Sequence, residues 1–153
     1  MIKKFLIFFC GFLVIFSLDQ YIKSIFINGF RWEGDYFSLV LVYNKGVAFT
    51  LLSFLGESLK YFQLALFLGI SLYLIYEKEF FRKFFLPIGI IYGAGSSNLY
   101  DRFAHSGVVD YVFWHKWFDF AVFNFADVMI DFAIILILLI MYIDKKRSKV
   151  QKI

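Results

Sequence analysis

Two aspartates, Asp127 and Asp131, stand near the start of an otherwise apolar stretch, FNFADVMIDFAIILILLIMYI at 123–143. The stretch has the ~20 residues that a helix needs to cross a bilayer. An ionisable side chain in such a span is costly and commonly marks a functional site with a partner. Because the chain contains no Walker glycine loop, GxSxG or HExxH motif, carboxylates are the candidate catalysts if it is an enzyme.

A pair of carboxylates can perform acid–base chemistry, because two that are held close together do not easily both ionise. The ionised one takes a proton from water as the water attacks a peptide carbonyl, while the protonated one donates to the carbonyl oxygen, as in aspartic peptidases. Spacing alone allows Asp127 two partners: Asp131, one turn further along the helix in a drier position, and Asp110 in the preceding loop. Alternatively, Asp127 is a first-turn carboxylate that the helix dipole favours.

Composition places the chain in the membrane. Of its 153 residues, 61% are hydrophobic, 24% aromatic and only 18% charged, and the mean hydropathy is +0.74. So few charged residues cannot cover the surface of a soluble domain. The net charge of +4 does not predict a nucleic-acid partner, because the basic residues are grouped along the chain rather than in one patch.

The hydrophobic pattern predicts an integral membrane, mainly α fold in a single domain, 1–153. Its four spans are expected at about 4–26, 59–76, 84–102 and 123–143. Two lysines precede the first apolar run as in a signal peptide, but no small-residue cleavage site follows, so we expect an uncleaved first helix.

Basic residues gather at both chain ends and in the middle loop, which predicts cytoplasmic termini and two outer segments, 27–58 and 103–122. These ten residues are Lys3, Lys4, Lys78, Arg82, Lys83, Lys145, Lys146, Arg147, Lys149 and Lys152. In the first outer segment, DYFSLVLVY predicts a strand and the glycine of NKGVAF a turn. In the second, Tyr111, Trp114, Trp117 and Phe118 suit a membrane interface.

Polar residues fall at one membrane level once the spans are placed. They are Asp19, Lys23, Asn98, Arg102, Asn124 and Asp127 at span ends, with Asn44 and Asp110 in the outer loops. The pairs 19/23, 98/102 and 124/127 each share a helix face, so the outer end of the bundle is predicted to be polar and acidic.

Several of these residues have structural interpretations. The Asp19–Lys23 pair is equally well explained as an ion pair at a helix end and as a substrate contact. Asp101 and Asp119 are expected to be exposed loop acids. The two histidines are ten residues apart with no cysteine nearby, which is poor spacing for zinc. We therefore expect neither a metal nor another cofactor.

Five motifs together resemble the bacterial lipoprotein signal peptidases, or signal peptidase II. They occur in the family's order over nearly the whole chain: DQYIK at 19–23, NKGVAF at 44–49, GAGSSNLYDR at 93–102, VVDYV at 108–112 and FNFAD at 123–127. The resemblance implies four transmembrane helices, a small periplasmic β-cradle, and an aspartic pair that removes signal peptides from diacylglyceryl-modified prolipoproteins at the lipidated cysteine.

By motif, the resemblance assigns catalysis to Asp110 and Asp127, and leaves Asp131 outside the family pattern. The positions that match supporting or substrate-binding residues are Asn44, Gly46, Asn98, Arg102, Asn124, Ala126, Asp19 and Lys23. Ala94 departs from the pattern, since the family usually has a second glycine there. The expected enzyme is a monomer that contacts membrane lipid, with its site at the periplasmic face of the inner membrane.

Two other functions compete with this one. A small four-helix transporter or proton channel also uses intramembrane acids, but it favours acids near the midplane and often internal repeats. Here the acids gather at one end and no repeat occurs. A noncatalytic membrane scaffold leaves the clustered Asp and Asn residues unexplained.

Overall fold

This computed structural model describes residues 1–46 and 55–150. Their elements are α1 (Ile2–Ile27), β1 (Phe37–Asn44), α2 (Ser58–Tyr76), α3 (Lys78–Ala104), β2 (Val108–Trp114) and α4 (Phe125–Val150). Residues 47–54 and 151–153 lie outside the described residues. The first of these ranges belongs to the predicted outer segment 27–58 and includes the last three residues of NKGVAF. The predicted four-helix membrane fold with a small sheet is confirmed.

Helix α3 is the centre of the bundle, and α1, α2 and α4 all pack against it. In the described chain, these three outer helices are long and apolar enough to cross a membrane, whereas α3 does not reach that hydropathy. The difference follows from its second half, where small and polar side chains such as Ser97, Asn98 and Arg102 are buried against its neighbours. The predicted third span, 84–102, corresponds to the longer α3, whose helical geometry is interrupted at Phe84 shortly before Pro87.

Small residues on α3 let its neighbours approach closely, as membrane helices commonly do. A Cβ added to Gly93 would lie 2.6 Å from the Phe12 carbonyl oxygen of α1, and one added to Gly89 would collide with the Phe8 carbonyl. Ala94, where the family pattern has glycine, is fully buried in a cluster that includes Ile15 and Ala126. Its methyl group is therefore accommodated by packing between α1 and α4.

The two strands form an antiparallel sheet. The strand predicted from DYFSLVLVY is confirmed as β1, whereas β2 was not predicted as a strand. Their register pairs Val42 with Asp110 and Asn44 with Val108. The sheet thereby brings Asp110 and Asn44 to one place, although they lie far apart in the sequence.

Candidate active site

Helix α4 begins with a reciprocal capping box, a motif that satisfies backbone donors at a helix start. The Asp127 N–H donates to Asn124 Oδ1 at 3.0 Å, and the Asn124 N–H donates to Asp127 Oδ2 at 3.1 Å. The two intervening N–H groups also have side-chain acceptors: Phe125 N–H donates to the Tyr111 hydroxyl and Ala126 N–H to Asp19 Oδ1, both at 2.9 Å. Contacts from α1 and β2 therefore fix the position of Asp127.

Asparagine amides surround the two carboxylates. Asp110 accepts from Asn44 Nδ2 at 2.9 Å on one oxygen and from Asn124 Nδ2 at 2.6 Å on the other. Asp127 Oδ1 accepts from Asn98 Nδ2 at 3.0 Å, and its Oδ2 accepts from the backbone N–H of Asn124 in the capping box. Each of the four carboxylate oxygens thus receives an N–H, which favours the ionised form of each group.

The three asparagines are held in one amide orientation by the partners of their carbonyl oxygens. Asn98 Oδ1 accepts from Lys23 Nζ at 2.7 Å, and Asn44 Oδ1 accepts from the Gly46 N–H at 2.9 Å. Asn124 Oδ1 accepts the Asp127 N–H. Because a flip would place a carbonyl oxygen against a carboxylate, the NH2 groups stay directed at Asp110 and Asp127.

A buried ion network lies behind the carboxylates. Lys23 Nζ is 2.6 Å from Asp19 Oδ2 and 2.7 Å from Asp101 Oδ2, and all three side chains are inaccessible to solvent. Asp19 accepts the N–H of Ala126, and Asp101 accepts the N–H of Val109 at 3.1 Å. Each buried acid therefore holds the backbone immediately before Asp127 or Asp110.

The expectation that Asp101 is an exposed loop acid is wrong. It lies in the last turn of α3, fully buried, and also accepts from Gln20 Nε2 at 2.8 Å. Gln20 and Ser97 were missed too: Gln20 donates to the Ser97 hydroxyl, which donates to Asp19 Oδ2 at 2.6 Å. The i,i+4 spacing of Ser97 and Asp101 places them on one face of α3, but spacing on one helix does not show that α1 packs on that face.

Arg102 lies in the last turn of α3, next to this network. Its guanidinium donates to the Asn98 carbonyl at 3.4 Å and to the Gly46 carbonyl, which ties the end of α3 to the residues after β1. Its Nε is buried and has no hydrogen-bond partner among the described residues. An unpaired buried donor is costly unless a ligand or water satisfies it.

Both carboxylates line one cavity of about 590 Å³. Its walls come from α2, α3, α4, the sheet and the 120–123 connection, and include Asn44, Asn98 and Arg102. Lys23 and Asp19 do not line it, which favours the ion-pair interpretation of these two residues. Helices α2 and α4 both pack on α3 but make almost no contact with each other, so the cavity lies in the gap between them.

The expectation that Asp131 is buried is wrong. It lines the same cavity and its side chain is exposed. Within the part of the chain that the structure describes, it has no hydrogen-bond or ion-pair partner. It is one turn beyond Asp127 on the same helix, whereas Asp110 approaches from the sheet.

Burial raises the pKa of Asp110 to about 7, and the nearby charge of Asp127 acts in the same direction. Hydrogen bonds from Asn44 and Asn124 oppose this shift because they stabilise the carboxylate. Near neutral pH, Asp110 is therefore suited to hold a proton.

In residues 1–46 and 55–150, no three His, Cys, Asp or Glu side chains are grouped to hold a metal ion. His115 Nε2 lies 2.9 Å from the Ser38 hydroxyl, and His105 lies beside the Tyr43 ring. Neither histidine lines the cavity.

Residues 11–143 match the sequence model of the family described as signal peptidase (SPase) II. The chain belongs to the signal peptidase II family. It is therefore a multi-pass membrane peptidase, and the transporter, channel and scaffold alternatives are excluded.

Named relatives agree with this family, and a solved structure shares the fold. The chain is 49% identical over 150 residues to a lipoprotein signal peptidase of Helicobacter pylori (strain HPAG1), covering 97% of this chain and 96% of that protein. It is 53% identical over 127 residues to one from Wolinella succinogenes, covering 83% and 87%. A solved structure described as a bacterial membrane enzyme shares the fold, with a TM-score of 0.74, 21% identity, and coverage of 96% of this chain and 92% of that one.

Proposed function

We propose that this peptidase removes the signal peptide from prolipoproteins whose cysteine carries a diacylglyceryl group, cutting immediately before that cysteine, with Asp110 and Asp127 as its catalytic pair. The observation that carries the proposal is that β2 and α4 bring two aspartates to one cavity, with an N–H on every carboxylate oxygen. The names of its relatives support the substrate class.

Asp127 is the base and Asp110 the acid in this proposal. Asp127 lies in the first turn of α4, where the helix dipole and the Asn98 and Asn124 donors favour a carboxylate. Asp110 holds a proton near neutral pH because of its burial. Water between them attacks the peptide carbonyl, Asp127 takes a proton from that water, and Asp110 protonates the carbonyl oxygen.

Collapse of the tetrahedral intermediate reverses the roles. Asp127 gives its proton to the leaving nitrogen as the C–N bond breaks, and Asp110 recovers a proton from the intermediate's hydroxyl. The products are the shortened lipoprotein with a free amino group and the signal peptide with a free carboxylate. The pair returns to its starting state with one water consumed.

Arg102 and the asparagines support this chemistry. Arg102 lies on the cavity wall and ties the Asn98 and Gly46 carbonyls together at the end of α3. Asn44, Asn98 and Asn124 keep the two carboxylates oriented, and Gly46 and Ala126 supply the backbone groups that hold Arg102 and Asp19. Lys23 and Asp19 act behind the pair rather than on the substrate.

The gap between α2 and α4 allows a lipid-anchored substrate to enter from the bilayer. Its acyl chains then stay in the lipid while the bond to be cut reaches Asp110 and Asp127. In this proposal the single domain acts as a monomer, with both termini cytoplasmic and the site at the periplasmic face. The basic residues at 78–83 and 145–149 support that orientation.

Cleavage is expected to depend on the substrate's lipid. Purified enzyme should shorten a diacylglyceryl-modified prolipoprotein and leave the unmodified precursor intact, because only the modified form has acyl chains to place in the gap between α2 and α4. The measurement is product formation on a gel with both precursors at equal concentration. Equal cleavage of the two would contradict the lipid requirement, and Asp127→Asn enzyme serves as the blank.

The pH dependence should report the proton on Asp110. Since the acid must be protonated and its pKa is about 7, kcat/KM is expected to fall as the pH rises above that value. Asn44→Leu removes an N–H that stabilises the Asp110 carboxylate, so it should raise this pKa and move the alkaline limb to higher pH.

The control for this profile is Asn28→Leu, which removes an exposed amide at the end of α1. It should leave the alkaline limb in place. A limb that moved to lower pH in Asn44→Leu would contradict the assignment of the proton to Asp110.

A further inference from the structure

Tyr111 is an aromatic residue that the sequence grouped with those suited to a membrane interface, yet its side chain lies inside the fold. Only 5% of it is exposed. Its ring is stacked on the ring of Phe26 in α1, with 4.2 Å between the centroids and 7° between the planes. Tyr111 does not line the cavity, so it is not placed to contact a substrate bound there.

Tyr111 joins the two parts of the chain that carry the catalytic aspartates. It follows Asp110 directly in β2, and its hydroxyl accepts the N–H of Phe125, the first residue of α4, at 2.9 Å. Its backbone N–H donates to the Phe123 carbonyl at 3.1 Å. Tyr111 therefore bonds to the chain at two points shortly before Asp127.

These bonds matter because the chain itself does not set the distance between the two aspartates. The connection 115–124 separates β2 from α4 and contains no helix. Stacking on Phe26 fixes the plane of the Tyr111 ring, and a hydroxyl on a fixed ring can hold the start of α4 at a constant distance from β2. That distance is important for catalysis, since a misplacement of ~1 Å can reduce a rate about a hundredfold.

We propose that Tyr111 is a positioning residue, which sets the separation of Asp110 and Asp127 through the bond from the Phe125 N–H to its hydroxyl. This inference rests on the proposed function. The hydroxyl acts on the geometry of the pair and not on the substrate. Its loss should therefore lower kcat and leave KM at the wild-type value.

Tyr111→Phe tests the proposal, because it removes the hydroxyl and keeps the ring that stacks on Phe26. The Phe125 N–H then has no side-chain acceptor, and the start of α4 can move. We expect kcat on a lipidated prolipoprotein to fall about tenfold with KM unchanged. Tyr92→Phe is the matched control: the Tyr92 hydroxyl is 2.9 Å from the Ser71 hydroxyl, and Tyr92 does not line the cavity. It should leave kcat unchanged.

A second measurement separates positioning from a loss of stability. In the Asp127→Asn background, Tyr111→Phe should lower the residual rate by less than about twofold, because no base remains to be positioned. A substitution that only weakens the fold would lower the rate by the same factor in both backgrounds. It would also lower the unfolding temperature more than Tyr92→Phe does.

Equal factors in the two backgrounds would overturn the proposal, and so would a wild-type kcat in Tyr111→Phe enzyme. Failure of the proposed function looks different. In that case wild-type enzyme does not cleave the lipidated substrate, or Asp127→Asn enzyme cleaves it at the wild-type rate.

Discussion

Asp110→Asn and Asp127→Asn are each expected to reduce the cleavage rate by about a thousandfold or more, and the double variant should be scarcely slower than either. The physical reason is that an acid and a base that act in one step lose that step when either is removed, so their effects do not add. Asparagine keeps the size of each side chain. The measurement is the rate on a lipidated prolipoprotein at matched membrane expression.

Asp131→Asn is the matched control for this experiment, since it removes a carboxylate from the same cavity and the same helix. It should retain most activity. Asp131 is on the same helix as Asp127, whereas Asp110 reaches the cavity from β2. An active Asp110→Asn enzyme beside an inactive Asp131→Asn enzyme would show that the catalytic pair lies along α4.

The sequence predicted the elements better than it predicted their contacts. Hydropathy and basic residues were sufficient for four helices, because lipid imposes a composition on each outer helix separately. Spacing could not choose between Asp110 and Asp131. That choice depends on the pairing of β1 with β2, which places Asp110 beside Asn44, a residue 66 positions away in the sequence.

Burial was the second feature that local pattern did not predict. Asp101 follows the apolar part of α3 and precedes a loop, which is the usual place of an exposed acid. It is buried because Lys23 and Gln20 of α1 reach it, and no feature of the 98–105 region encodes those contacts. Conversely, Asp131 was expected to be buried because it lies one turn further down the helix than Asp127, yet the gap between α2 and α4 leaves it exposed in a cavity.

Lys23→Met is expected to destabilise the folded protein by roughly 3–5 kcal/mol, the range for removing one partner of a buried ion pair. Lys23 is inaccessible to solvent and its ammonium group contacts Asp19, Asp101 and Asn98. In formal charges, the network of one lysine and two aspartates changes from −1 to −2, and both acids lose the ammonium group that contacts them. Thermal unfolding of the purified protein in detergent measures the loss.

The same substitution should also lower kcat, because the two acids hold the backbone N–H groups just before Asp127 and Asp110. Adding Asp101→Asn to Lys23→Met returns the formal charge of the network to −1 and should recover part of the stability. Lys83→Met is the matched control: it breaks an ion pair with Asp144 that is roughly half exposed, and such pairs contribute about 1 kcal/mol or less.

The outcome separates the two interpretations of Lys23 that the sequence left open. A residue that binds substrate directly would, on substitution, raise KM while leaving the unfolding temperature near that of wild type. A residue that holds two buried acids in place would lower the unfolding temperature and kcat together. We expect the second result. The Lys23 ammonium group donates to Asn98 from behind, and Lys23 does not line the cavity in which the substrate is proposed to bind.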